Sequence, residues 1–162
     1  MSHLTRILFL TYMSIFPLPA FPANYNSGGL GLSYNNMIKK YGPPEPTCPF
    51  SKLYGNYPCL QSGTMLIPNR EKNGNTEEIN LYWPSETSLD IARILVRQYF
   101  PKDWKKVKTY TKKSGSIIDL YHSNSLAKRF ESNKWDGEKP GTFMIVHYPD
   151  KRFVLIAIGN NP

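Results

Sequence analysis

This sequence predicts an α+β fold. We expect a single antiparallel sheet of about five to six strands, two or three helices packed on one face, and one disulfide-stapled loop. Three stretches carry that expectation. Thr87 to Phe100 places Leu89, Ile91, Ala92, Leu95, Val96, Tyr99 and Phe100 on one half of a helical wheel, with Asp90, Arg93 and Arg97 opposite. Phe143 to Tyr148 and Phe153 to Ile158 are apolar runs flanking Pro149-Asp150-Lys151-Arg152, the pattern of a β-hairpin covered on both faces. Glu77 to Trp83 alternates Ile79, Leu81 and Trp83 with Glu78, Asn80 and Tyr82, as a half-buried strand does.

The N-terminus stands apart from this fold. Arg6 precedes a short apolar stretch through Phe16, and Pro17 to Ala23 then breaks helicity and ends in small residues. That order reads as a cleavable signal peptide over residues 1–23, with cleavage after Ala20 or Ala23. The apolar run falls short of the ~20 residues that span a bilayer. The expectation is a secreted or periplasmic protein with no transmembrane segment in the mature chain. Residues 24–32, which include Gly28, Gly29 and Gly31, read as a flexible lead-in, and residues 33–162 as one domain.

The remaining elements follow in order. Ser33 can cap a helix whose Tyr34, Met37, Ile38 and Tyr41 share a face, and Gly42 with Pro43-Pro44 stops it. Cys48 and Cys59 are the only cysteines, and in an oxidising compartment they read as a disulfide. Closing so short a loop is worth roughly 3 kcal/mol by chain entropy. Thr64 to Ile67 reads as a strand ended by Pro68, and Thr87 with Asp90 as an approximate capping box for the helix that follows. Val107, Thr109 and Thr111 alternate with Lys106, Lys108 and Tyr110, predicting a strand that turns at Ser114-Gly115 into Ile117 to Tyr121. A short helix capped near Ser123 to Ser125 then carries Leu126, Ala127 and Phe130.

Gly31 to Pro44, GLSYNNMIKKYGPP, resembles the helix that opens small envelope proteins of the BamE/SmpA type. The shared features are a hydroxyl cap, an amphipathic turn and a glycine-x-proline stop. The chain departs from that pattern in lacking a lipid-attachment cysteine and in continuing into the cysteine-paired loop. No residue role is carried over from the resemblance.

Charge gives the main functional signal. The chain carries a formal +8, which becomes +7 once Arg6 leaves with the signal peptide. From Glu71 to Asp90 five acids face one lysine, whereas from Arg93 to Lys113 eight bases face only Asp103. Such a block suits an anionic partner. Arg97, Lys102, Lys105, Lys106, Lys108, Lys112 and Lys113 are candidate binding residues, with Trp104 and Tyr110 as aromatics able to stack against the partner. Outside the cytoplasm that partner is a protein or an anionic cell-envelope component, and nucleic acid fits less well.

Catalytic motifs are missing: there is no H-E-x-x-H, G-x-S-x-G, P-loop, dinucleotide fingerprint or C-x-x-C. No cofactor or metal site is expected. The expectation is therefore an interaction module. Two alternatives stay open: a small secreted nuclease using His122 and His147 as an acid–base pair, and an immunity or inhibitor protein acting on a secreted toxin or hydrolase.

Overall fold

A computed structural model describes residues 25–43, 74–135 and 137–159, together with the backbone of 65–68. The proposed signal peptide and the Cys48–Cys59 loop lie outside the described residues. Three helices and six strands alternate as α1 (Tyr34–Tyr41), β1 (Met65–Pro68), β2 (Glu78–Tyr82), α2 (Leu89–Val96), β3 (Lys105–Thr111), β4 (Ile117–His122), α3 (Asn124–Ala127), β5 (Thr142–His147) and β6 (Phe153–Ile158). Two 3₁₀ turns, Arg97–Tyr99 and Ser132–Trp135, join these elements among the described residues. The strands form one fully antiparallel sheet in the order β1-β2-β6-β5-β4-β3. The α+β class and the single antiparallel sheet thus agree with the sequence.

Register explains why the helices take one face. Ile79, Ile156, Ile145, Asp119 and Thr109 form a continuous row from β2 to β3. With Leu81, Val154, Phe143 and Tyr121 this side forms one core, and the buried helical residues Met37, Ala92, Val96 and Leu126 all join it. Each large side chain buried there contributes about 1.5–3 kcal/mol. Intervening residues point the other way, where Ile118, Leu120, Met144, Val146, Leu155 and Ala157 form a second apolar cluster. β5 is buried at every position, as its unbroken apolar sequence and its central place require.

Local chemistry sets the element ends. Ser33 caps α1 by accepting from the Asn36 N–H at 3.3 Å, and Gly42 ends it with φ +90°, a conformation that glycine adopts without strain. The cap of α2 is Ser88, not Thr87: its hydroxyl accepts from the Ile91 N–H at 3.4 Å.

Residues 27–31 correct the expectation of a flexible lead-in. The Gly28 N–H donates to the Phe100 carbonyl at 3.2 Å, Leu30 to Tyr99 at 3.0 Å, and Gly31 to Thr76 at 2.8 Å. Leu30 is fully buried. A Cβ on Gly28 would sit 1.4 Å from the Gln98 carbonyl oxygen, so the glycine is there to let two backbones touch.

Candidate functional site

The apolar row across the helix-facing side contains one charge, Asp119, and it is fully buried. Donors from three elements surround it. Arg93, on α2, donates from Nε to Oδ2 at 2.7 Å and from Nη2 to Oδ1 at 3.1 Å, a two-pronged contact that matches guanidinium to carboxylate. Lys106 and Thr109 of β3 reach Oδ1, the lysine at 2.9 Å. His147 of β5 places Nε2 3.2 Å from Oδ2.

A β-bulge makes the β3 contribution possible. Residues 106 and 109 would face opposite sides of a regular strand, because side chains alternate. The register shifts between Lys106 and Lys108, leaving Val107 as the extra residue and putting Lys106 and Thr109 on the same side. The regular alternation expected for this strand is corrected accordingly.

The electrostatics follow from this crowding. Burial alone would raise the Asp119 pKa, but hydrogen bonds from His147, Arg93, Thr109 and Lys106 outweigh it and hold the carboxyl well below the usual carboxylate range. Arg93 is raised in turn, first by its hydrogen bond to Asp119. Asp119 is ionised and its lone pairs are occupied, so it has no capacity to take a proton from a substrate. It is an electrostatic anchor that ties α2, β3 and β5 to β4.

The basic strand therefore divides its charges. Lys106 is committed to Asp119. Among the described residues, Lys102, Lys105, Lys108, Lys112 and Lys113 have no acidic partner, and all are exposed. Lys105 pairs with His122 and Lys108 with Leu120, which puts both lysines on the face away from the helices. Arg97 lies over the Trp104 ring at 5.5 Å and Lys108 over the Tyr110 ring at 5.4 Å. The two aromatics are not the free contact surfaces expected from sequence. Trp104 packs edge-on against Phe100 and Tyr121, and Tyr110 packs against the second apolar cluster.

The two histidines are not brought together. His147 pairs with Ile117 at one end of β4, and His122 pairs with Thr142 at the other. Five residue-to-residue steps of strand separate those ends, roughly 17 Å at ~3.3 Å per step, and the two side chains belong to opposite faces. His122 is turned to the Pro140 carbonyl at 3.1 Å. The acid–base pairing proposed for a nuclease fails on this register.

Sequence inspection missed two features. Asp119 is an acid within the apolar run Ile117-Ile118-Asp119-Leu120, which by itself signals a buried charge needing partners. The second is the outer surface of α2, where Ile91 is 53% exposed, Ile94 64% and Leu95 36%. Among the described residues no group of three or more histidines, cysteines or acids is placed to hold a metal ion. No helix among them is long and apolar enough to cross a membrane. No protein-family model, curated protein or solved structure matches the chain.

Proposed function

We propose that this chain is an exported interaction module that captures an acidic partner through β3 and its flanks, and that it does not act as an enzyme. One observation carries the reading: five lysines without acidic partners among the described residues lie on or beside a single exposed edge strand. A lysine-bearing, bulged edge is also a poor template for strand addition, so side-chain charge rather than backbone pairing is the means of recognition. Secretion or periplasmic location rests on the order of charge, apolar residues and small residues in the first 23 positions.

The reading covers a protein or an anionic cell-envelope component, because Ile91, Ile94 and Leu95 lie on the helix side of the sheet and Lys105 and Lys108 on the other. An immunity or inhibitor protein is one version of this reading, differing only in which protein is bound.

The charge test must spare Lys106, because reversing it would also attack Asp119. Lys105→Glu with Lys108→Glu should weaken capture of an acidic partner at least tenfold, with the far-UV spectrum and thermal midpoint unchanged. Wild-type binding should also fall steeply as salt rises. Capture that is insensitive both to the double reversal and to salt would overturn the reading. N-terminal sequencing of protein recovered from the envelope or medium should begin at Phe21 or Asn24.

A further inference from the structure

β3 ends the sheet, and its outward side chains form a line. Lys105, Lys108 and Tyr110 pair with His122, Leu120 and Ile118, and the Lys112 N–H donates to the Ser116 carbonyl at 2.9 Å. Alternate positions on β4 share a face. Lys105, Lys108, Tyr110 and Lys112 therefore stand in that order on the side away from the helices. Six steps of β4 separate Ser116 from His122, which makes the line ~20 Å long with ~7 Å between neighbours. The bulge keeps this line full. In a regular strand counted back from Lys112, Lys106 would take the last place. The slip hands Lys106 to Asp119 and puts Lys105 there instead.

We propose that this line binds a linear polyanion, a chain polymer carrying one phosphate or carboxylate per repeat, laid along β3. The proposal rests on the reading of β3 as the capturing strand and narrows its partner to one class. Composition decides between a polymer and a folded protein. Protein interfaces favour arginine and aromatic anchors and are depleted in lysine. Here the outward cations are all lysines, since Arg93 is bound to Asp119 and Arg97 lies over the Trp104 ring. Tyr110, the one aromatic in the line, is half-buried with the Lys108 ammonium over its ring. A hydrated ammonium on a flexible stem can follow a chain of point charges without a mate of fixed geometry.

The surroundings agree. On β4 the same face continues as Ser116, Ile118, Leu120 and His122, so among the described residues no acid interrupts the positive strip. Lys102 and Lys113, both exposed, lie just beyond its two ends in the chain. No described strand covers the outer edge of β3, so a polymer can lie along its whole length. Phosphate and carboxylate polymers share the chemistry that this line recognises, and the probes below separate them.

Calorimetric titration of the full-length mature protein tests it, with long-chain inorganic polyphosphate and polygalacturonate as probes. Binding of either supports the proposal, and the tighter of the two names the anion. Log affinity should fall with log salt at a slope of about −2, near 0.7 released ions for each of the three lysines. Inorganic phosphate alone should bind about a hundredfold more weakly, because it meets one lysine at a time. Lys112→Ala should lower polymer affinity about fivefold at ~50 mM salt and flatten the slope by about 0.7. Lys128→Ala removes the same charge from an exposed position at the end of α3 and should change neither. Equal losses from the two variants would show diffuse attraction and overturn the proposal, as would polymers that bind no better than phosphate. If no polymer binds while Lys105→Glu with Lys108→Glu still weakens capture of an acidic protein, this proposal falls and the reading of β3 stands. Polymer binding that the double reversal leaves intact would sink both.

Discussion

The two sides of α2 invert what a helical wheel leads one to expect. On one side Arg93, a charged residue, turns inward and spans Asp119 at the edge of the core. On the other side Ile91, Ile94 and Leu95 face outward. Both arise from one placement of the helix. Ala92, Val96 and Tyr99 take the centre of the buried face, and Arg93, one step round from them, meets the only carboxylate in the row below. The lesson is that a buried charge can set the rotation of an amphipathic helix, and apolar residues then end up in solvent because geometry leaves them nowhere else to go.

The largest expected effect breaks the inward side. Asp119→Ala leaves Arg93 and Lys106 facing a carboxylate-sized hole, and should cost about 3–5 kcal/mol in denaturant unfolding. A loss under about 1 kcal/mol would mean that the anchor does not hold α2. The same residue gives a pH signature. Because its folded-state pKa is depressed, its contribution is complete above the unfolded-state value near ~3.9 and drains away as pH falls below that, at up to ~1.4 kcal/mol per pH unit. Asp103 is also lowered: burial pushes it up, but hydrogen bonds from Ser123 and Ser125 more than offset this, so it titrates in the same window. The difference between wild type and Asp119→Ala therefore isolates Asp119. Parallel acid-melting curves for the two proteins would refute the assignment.

The next effect tests what holds the far end of the helix. Gly28→Val drives a side chain into the Gln98 carbonyl and should cost at least about 3 kcal/mol, as severe overpacking against backbone does. If residues 27–31 were a free tail, the thermal midpoint would not move. The smallest effect belongs to the outer side. Ile91→Ser and Ile94→Ser should each change stability by no more than about 0.5 kcal/mol. A loss of stability above 1 kcal/mol from either single substitution would show that the outer stripe is part of the fold.

Much of the architecture was legible because alternation and capping act locally. The order of elements, the hairpin at Pro149 to Arg152 and the cap at Ser33 each depend on residues close in sequence. What escaped depends on neighbours brought from elsewhere. Gly28 reads as a linker until Gln98 lies against it. Trp104 reads as a free aromatic until Phe100 and Tyr121 pack edge-on against it and leave it half-buried. Val107 reads as one tooth of a regular strand until the register with β4 slips around it. The candidate site was half visible: the block of lysines was plain, but the division between Lys106 and the rest follows from a bulge that no local rule marks.

The place of β6 in the sheet bears on how the chain reaches this state. β2 lies between β1 and β6, and β6 alone joins that pair to β5, β4 and β3. Ile79 must therefore find Ile156 across a stretch that contains α2, α3 and three other strands. Pairings so distant in sequence close late and slowly. Until β6 is in place the two parts of the sheet have no shared strand, and the row that holds Asp119 ends at β5. A chain with this connectivity cannot complete its sheet until residues 153–158 are available, so the strand nearest the C-terminus is the one on which the whole sheet waits.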